Sequence, residues 1–301
     1  MKAEFYIIKE SFLSNITIDK KDLVSKIEAL HADFLEIRKH DTDSLFIHPG
    51  VYDLEFMPGI SLTDLLYTAT GGTHLDKETM SALKRVMVES EASEYNGDDI
   101  ITVLLPEING DNCIGIMTFN QLPDIERDYQ IVYTDDSWLK LRRKFLGKFP
   151  TNPIHFIETC SVLFPSIYFH EQNKETVGVI LSTCSKKIVA HLSALNDNFK
   201  NYKNKPYNRN DTLNRFSVGE KLDETASVEG NASRKRRLIF NFVDNNNQIE
   251  QVCCEPHLKL PYNDNYPGDK SYSTDRRIYF HEGKENIHNG KILIGHIGDH
   301  L

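Results

Sequence analysis

The chain has 301 residues, of which 40% are hydrophobic, so it can bury a large core and divide into two domains. No stretch approaches the roughly 18 to 20 apolar residues that a membrane helix needs, and the first residues lack the basic and apolar regions of a secretory signal. The five cysteines are odd in number and have no CxxC spacing, which is typical of reduced thiols, so we expect a cytoplasmic protein with no membrane partner.

The net charge of -9 is unevenly distributed along the chain. Residues 186–301 contain 18 Lys and Arg against 15 Asp and Glu, a net charge of +3, which leaves -12 for residues 1–185. We therefore predict an acidic α+β domain over residues 1–185 and a second domain over residues 186–301. Such a contrast is typical of a basic working surface beside an acidic partner-binding or regulatory surface, although two ordinary solvated surfaces would also produce it.

The first part of the chain contains two helices with clear patterns. A strand over residues 4–8 precedes an amphipathic helix over residues 21–39, in which apolar side chains recur near a 3.6-residue period. Residues 44–56 indicate a strand, a turn and a second strand. Another helix begins after Asp76, because this side chain is suited to an N-cap.

The middle of the chain contains a predicted hairpin. Residues 100–106 form a nearly continuous apolar run of strand length, and residues 113–120 supply a second strand after a turn at residues 109–112. We expect this pair of strands in the core of the first domain. A short amphipathic helix over residues 137–149 follows.

The C-terminal part has the clearest organisation. A helix over residues 185–202 leads into a polar linker over residues 200–215. Four predicted strands follow, separated by turns rich in Asn, Asp and Gly, at residues 238–243, 248–260, 276–281 and 291–297. The sequence therefore predicts an α+β protein that ends in a small unit of one helix packed on a four-stranded antiparallel sheet.

Alternation along these strands places polar side chains on one face of the predicted sheet. The candidate site residues are Glu255, His257, Lys259, Arg277, Tyr279, His281 and His296. A basic run precedes the first strand and would lie at the rim of this face, namely Arg234, Lys235, Arg236 and Arg237. If the polar faces of neighbouring strands coincide, the surface can bind phosphate and transfer protons. The alternative is that these residues only form the solvent-exposed face of a sheet that is buried on its other face.

Roughly the last 100 residues resemble the RelE/HigB class of bacterial toxin ribonucleases. The similarity lies in the helix and four strands, in Arg-Arg-Ile-Tyr-Phe at residues 276–280 and in Gly-His-Ile-Gly at residues 295–298. The resemblance implies RNA cleavage or RNA binding without a metal or other cofactor, with Arg277 and Lys259 holding the phosphate. The implied candidates for base or acid are Glu255, His257, His281 and His296.

Residues 1–185 have no counterpart in that class. We expect them to act as a sensor, as a built-in restraint or as the surface for a protein partner such as an antitoxin, in a toxin–antitoxin or phage-defence setting. The alternative is a non-catalytic interaction subunit of a bacterial multi-protein defence complex, which would use the sheet and the acidic domain for protein contacts.

The absence of the corresponding motifs disfavours several other kinds of site. His296 and His300 have the H-x3-H spacing that binds zinc on a helix, but no Cys pair or HExxH accompanies them, so we predict no metal site. The chain contains no GxxxxGK[ST], no GxGxxG after a strand and no GxSxG. Nucleotide hydrolysis and hydride transfer are disfavoured accordingly.

Overall fold

The structure is a computed structural model, and it describes residues 2–12, 19–39, 43–68, 74–106, 112–122, 125, 128–264 and 272–301. The chain has an α+β fold, as the sequence predicts. It divides into two compact units, Met1–Arg142 and Arg143–Leu301. Within the described ranges, no helix combines the length and the apolar character that crossing a membrane requires.

The first unit is built on a parallel sheet. In chain order its strands are β1 (Lys2–Ile7), β2 (Asp43–Ile47), β3 (Glu55–Met57), β4 (Ile60–Ser61), β5 (Glu91–Ala92), β6 (Asn112–Met117) and β7 (Ile131–Val132). Five of them form one sheet in the order β5-β2-β1-β6-β7, with every pair parallel, while β3 and β4 form a short antiparallel pair. On the central strand β1, Ala3, Phe5 and Ile7 are buried on one face and Tyr6 is buried on the other, as expected for a parallel sheet that is covered on both sides.

The described helices of the first unit are α1 (Lys20–Arg38), α2 (Leu62–Tyr67), α3 (Lys77–Val88) and α4 (Gly97–Asp99). Two of them, α1 and α3, begin where the sequence predicts, whereas the sequence does not predict α2 and α4. Asp19 caps α1 and Asp76 caps α3, each by accepting a hydrogen bond from a backbone N–H three residues later. The buried side of α1, which includes Ile27 and Phe34, allows this helix to pack against α3.

The predicted hairpin over residues 100–120 is wrong. Residues Ile100–Leu104 form a π-helical turn that continues α4, and β6 pairs in parallel with β1 and β7. A short apolar run has no periodicity that separates a buried strand from a helical turn. Of this run, Ile100 and Leu105 are buried, whereas Val103 is half exposed. Residues 109–111 of the predicted turn lie outside the described residues.

The remaining described helices belong wholly or partly to the second unit. They are α5 (Asp135–Lys148), which contains the division between the units, α6 (Pro153–Leu163), α7 (Asn173–Thr176), α8 (Leu181–Lys203), α9 (Arg209–Gly219) and α10 (Ala232–Lys235). The predicted helices at residues 137–149 and 185–202 are confirmed by α5 and α8. The predicted linker over residues 200–215 is wrong in its second half, because Asn208 caps α9. Only Leu213 and Phe216 supply its apolar side, too few for a clear period.

The second unit contains two sheets. Its strands are β8 (Ile167–Phe169), β9 (Ile239–Val243), β10 (Ile249–Cys253), β11 (His257–Pro261), β12 (Tyr272–His281) and β13 (Ile292–Asp299). A four-stranded sheet is present, in the order β11-β12-β13-β8, but its fourth member is β8, which is parallel to β13. The first predicted hairpin, β9 and β10, is a separate sheet. The predicted strand at residues 248–260 is thus two strands, interrupted near Pro256, which has no N–H for a ladder.

The units divide at residues 142 and 143, whereas the charge pattern predicts a division at residues 185 and 186. A division at residue 185 would cut α8 and would separate β8 from β13. With the structural division, residues 1–142 contain 13 Lys and Arg against 26 Asp and Glu, and residues 143–301 contain 22 against 18. The net charges are therefore -13 and +4, so the charge contrast belongs to the compact units themselves.

Candidate active site

Three neighbouring strands of the second unit bring polar rings to one face of the sheet. His257 of β11 lies opposite Tyr279 of β12, and Tyr279 lies opposite His296 of β13. Directly opposed residues of antiparallel strands point to the same face. The ring centroid of Tyr279 is 5.2 Å from that of His257 and 6.2 Å from that of His296. For these three residues the face that the alternation predicts is present.

His300 adds a third imidazole to the surroundings of Tyr279. It follows β13 directly, and its Nδ1 lies 3.2 Å from the Tyr279 hydroxyl oxygen. Its Nε2 lies 3.2 Å from a guanidinium nitrogen of Arg234 and 3.6 Å from a carboxylate oxygen of Glu229. Arg277 is two residues before Tyr279 on β12 and shares its face. We call this group the Tyr279 cluster, which consists of Glu229, Arg234, His257, Arg277, Tyr279, His296 and His300.

The Tyr279 cluster is buried at its centre and open at one edge. Tyr279 is 0% exposed, and His257 and His296 are buried beside it. By contrast, 16% of the His300 side chain is exposed, and Arg234 is an exposed residue. A ligand would therefore meet His300 and Arg234 first, and Tyr279 would act on it only through His300.

Hydrogen bonds assign the protonated nitrogen of the two buried histidines. Nε2 of His296 lies 2.8 Å from the carbonyl oxygen of Asp299, and because a carbonyl only accepts, this nitrogen carries the hydrogen. Nδ1 of His257 faces the carbonyl oxygen of Glu255 at 3.4 Å, so Nε2 is left to accept from the Ser227 hydroxyl at 3.1 Å. Both rings are thus held as neutral imidazoles.

Burial sets the charge state of the interior of the cluster. It lowers the pKa of His257 to about 4, with the Arg277 cation adding to the effect, and it lowers the pKa of His296. Burial also raises the pKa of Tyr279 to about 12, with the Glu229 carboxylate adding to the effect. At neutral pH these three rings are uncharged, which disfavours the predicted use of His257 and His296 as groups that titrate near neutrality.

His300 differs from the buried histidines because its Nε2 faces both a cation and an anion. In the neutral ring, Nε2 accepts a hydrogen bond from Arg234, and in the protonated ring it can donate toward Glu229. Both states therefore have a partner without a large movement of the ring. An imidazole that is oriented by a carboxylate is a common device for moving a proton.

The predicted phosphate ligands Arg277 and Lys259 are cross-strand partners on the same face. Arg277 is 7% exposed, and burial lowers the pKa of its guanidinium. Lys259 Nζ lies 2.9 Å from a carboxylate oxygen of Glu224, which would compete with a phosphate for this cation. At the open edge of the Tyr279 cluster, Arg234 is the better placed cation.

Comparison with known proteins finds no matching family model, no similar curated protein and no similar solved structure. The resemblance to the RelE/HigB class therefore stays a prediction. The function has to be argued from the Tyr279 cluster itself.

Two predicted site residues make their contacts elsewhere. The Glu255 carboxylate pairs with Lys235 and, at 3.4 Å, with Arg209. The Nδ1 of His281 accepts a hydrogen bond from the backbone N–H of Gly283 at 3.0 Å, and burial lowers its pKa. Among the residues that the structure describes, neither Glu255 nor His281 forms a side-chain hydrogen bond or a ring contact with Tyr279.

The basic run at residues 234–237 is helical, whereas the sequence predicts that it leads directly into a strand. Arg234 and Lys235 end α10, and a 3-10 turn over Arg236–Leu238 follows. The turn leaves Arg236 and Arg237 exposed, whereas Arg234 contacts His300. Of the four predicted cations, Arg234 is thus the one that the structure places in the Tyr279 cluster.

Two members of the cluster were not among the predicted site residues. His300 lies four residues after His296, so the two-residue period of β13 places both on one face, and this pattern could have identified it. Glu229 lies in an extended segment that is joined to β11 by a bridge between Ser227 and His257. No local pattern marks Glu229, because its position depends on that non-local bridge.

His296 and His300 both lie beside the Tyr279 ring. Within the described ranges, no group of three or more His, Cys, Asp or Glu side chains is arranged to hold a metal ion. Instead, the two imidazoles lie at 6.2 Å and 6.0 Å from the Tyr279 ring centroid.

Proposed function

We propose that this protein cleaves RNA by general acid–base catalysis at the open edge of the Tyr279 cluster. The observation that carries the proposal is the placement of His300, whose imidazole joins the Tyr279 hydroxyl, the Glu229 carboxylate and the Arg234 guanidinium. A partly exposed imidazole beside a cation matches the two needs of the reaction, which are proton transfer and binding of a phosphate.

In the proposed reaction, Arg234 turns from His300 Nε2 to the phosphate, and the freed Nε2 accepts the proton of a ribose 2′-hydroxyl as the 2′-oxygen attacks the adjacent phosphorus. The bond from phosphorus to the 5′-oxygen breaks, and that oxygen takes a proton from solvent. The products are a 2′,3′-cyclic phosphate and a 5′-hydroxyl. His300 then returns its proton to solvent, so atoms and charge balance.

The neighbours of His300 have distinct roles in this proposal. Arg234 binds the non-bridging phosphate oxygens at the open edge, because it is exposed and lies 3.2 Å from the His300 imidazole. Glu229 stabilises the imidazolium that forms after proton uptake. Tyr279 is a positioning residue, since its buried hydroxyl lies 3.2 Å from His300 Nδ1 and, together with the Leu301 carbonyl oxygen at 2.9 Å from the same nitrogen, orients the imidazole.

The test is cleavage of a single-stranded RNA by the whole chain and by His300→Ala. We expect His300→Ala to lower the cleavage rate by about 100-fold or more, the usual contribution of a positioned acid or base. The matched control is His155→Ala, which changes a partly buried histidine on α6 of the same unit. It should cleave at the wild-type rate.

A second arm of this experiment tests the nucleophile. An oligonucleotide with 2′-deoxyribose at the cleaved position should stay intact, and the cleaved RNA should carry a 2′,3′-cyclic phosphate. Equal rates for His300→Ala and His155→Ala, or intact RNA with the wild-type chain, would contradict the proposed function.

The second candidate is the non-catalytic subunit that binds a protein partner. The hairpin of β9 and β10 favours it, because Ile239, Val243 and Ile249 lie on one face and are 46%, 44% and 73% exposed. Neighbouring exposed apolar side chains often mark a protein contact. Cleavage of RNA that depends on His300 would contradict this candidate as the main function.

A further inference from the structure

A separate open cavity of about 640 Å³ lies in the second unit. It is formed by the end of α8, one side of α9 along most of its length and the segment that joins them. Its lining includes Tyr202, Lys205, Tyr207, Asp211, Arg215 and Gly219. The volume is within the usual range for a small-molecule site, roughly 300 to 1,000 Å³. None of these residues belongs to the Tyr279 cluster.

The cavity contains a stacked pair of side chains. The guanidinium carbon of Arg215 lies over the Tyr207 ring, 4.2 Å from its centroid. Tyr207 is 41% exposed, and Arg215 is also exposed, so a ligand can reach the pair from outside although the two side chains cover each other where they stack. Nucleobases stack on aromatic rings and on arginine planes of this kind.

One wall of the cavity is fixed by packing. The Tyr202 hydroxyl donates to a Glu220 carboxylate oxygen at 3.0 Å, and the Tyr202 ring packs edge-on against Phe216 with centroids 5.7 Å apart. Gly219 permits this arrangement, because a Cβ at this position would overlap the Tyr202 hydroxyl. The wall is therefore set before any ligand binds.

The charged side chains of the cavity favour an anion. Lys205 and Arg215 are exposed, and within the described part of the chain neither forms an ion pair with a carboxylate. The carboxylate in the lining, Asp211, accepts a hydrogen bond from the Asn208 side-chain amide at 2.8 Å. Lys205 thus lies in the same lining as the Tyr207 and Arg215 pair and is available to a phosphate, and Arg215 adds a second positive charge.

We infer that this cavity binds a nucleotide, with the base stacked on the outer face of the Tyr207 and Arg215 pair and the phosphate on Lys205. The amides of Asn201 and Asn214 in the lining can hydrogen-bond to the edge of the base. The nucleotide comes either from a single-stranded RNA or from the free pool, since both present the same base and phosphate. This binding site goes beyond the proposed cleavage and does not depend on His300.

The test is equilibrium binding of two fluorescent probes to the whole chain, an eight-residue oligoribonucleotide and a labelled adenosine monophosphate. We expect Tyr207→Ala to weaken binding about tenfold or more, because the loss of one stacking ring has an effect of this size. Tyr207→Phe keeps the ring and should bind as the wild type does.

The chain offers a matched control for the substitution. Tyr67 is 52% exposed, and Lys84 Nζ lies 5.3 Å from its ring centroid, so Tyr67→Ala removes a similar tyrosine and cation pair in the other unit. It should not change the affinity for either probe. Folding of each variant is verified by circular dichroism and urea unfolding before binding is measured.

The two probes separate the sources of the nucleotide. A loss in Tyr207→Ala that is seen with the oligoribonucleotide alone indicates an RNA strand, and a loss seen also with the mononucleotide indicates the free nucleotide. Equal affinities of Tyr207→Ala and Tyr67→Ala for both probes, or no binding of either probe by the wild type, would overturn the inference.

The inference and the proposed function can fail separately. Tyr207-dependent binding without RNA cleavage would support the nucleotide site and contradict the cleavage. Cleavage that depends on His300, with unchanged binding in Tyr207→Ala, would support the cleavage and contradict the nucleotide site.

Discussion

At the scale of single residues, burial distinguishes the histidines inside the sheet from His300 at its open edge. Burial lowers the pKa of His257, of His281 and of His296, so these imidazoles stay neutral. His300 has the same side chain but lies at the open edge, between Arg234 and Glu229. The sequence shows four histidines of one chemistry, and only their surroundings give them different roles.

The depressed pKa of His257 predicts how stability depends on pH. The ordinary pKa of histidine is 6.5, and in the folded chain that of His257 is about 4. Between these values the unfolded chain binds a proton that the folded chain does not bind, so stability is lost as the pH falls from 6.5 toward 4. A single group of this kind contributes at most about 1.4 kcal/mol per pH unit.

The measurement is urea unfolding of the wild type and of His257→Gln at pH 7 and at pH 4.5. We expect the variant to lose less stability than the wild type over this interval. Some loss should remain, because burial also lowers the pKa of His191 to about 4. An identical pH dependence in both proteins would show that His257 is not held neutral by the fold.

At the scale of elements, the sequence predicts individual helices and strand faces well and their pairing less well. The caps Asp19 and Asp76 act locally, so the starts of α1 and α3 could be predicted. The alternation along β12 likewise places Arg277 and Tyr279 on one face. By contrast, the pairing of β8 with β13 joins residues more than a hundred positions apart, and no local pattern encodes it.

The difference between local patterns and long-range pairing also decides which members of the candidate site could be predicted. His257, Tyr279 and His296 could be grouped from the two-residue period, since their strands are neighbours in the sequence and in the sheet. Glu229 and Arg234 could not be placed beside His300 in this way. Their positions depend on α10 and on the bridge from Ser227 to His257, which are features of tertiary structure.

The irregularity in β13 provides a prediction at this scale. The register between β12 and β13 shifts after Tyr279, and Gly295 lies at the shift, directly before His296. A Cβ at Gly295 would overlap the Phe240 ring and approach Cys254 Sγ at 2.9 Å. We expect Gly295→Ala to lower the free energy of unfolding by about 1 to 3 kcal/mol, as overpacking of a core usually does.

Urea unfolding of Gly295→Ala and Gly230→Ala measures this effect. Gly230 is a suitable control because a Cβ there would have no heavy atom within 4 Å. Its replacement should change stability by no more than about 0.5 kcal/mol. Equal stability of the two variants would mean that the sheet can shift at Gly295 without cost.

At the scale of the whole molecule, the two compact units have opposite net charges, -13 for residues 1–142 and +4 for residues 143–301. A polyanion such as RNA is attracted to the second unit and repelled by the first. Both the Tyr279 cluster and the cavity beside Tyr207 lie in the second unit. The distribution of charge thus agrees with the positions of the two proposed sites.

The central claim is that RNA binds with a phosphate at the open edge of the Tyr279 cluster, and a crystal structure of the chain with a 2′-deoxy-substituted oligoribonucleotide tests it most directly. The account predicts a phosphate within hydrogen-bonding distance of Arg234, with the substituted ribose carbon adjacent to His300 Nε2. A strand that contacts only residues 1–142, or one that leaves Arg234 and His300 untouched, would contradict the account.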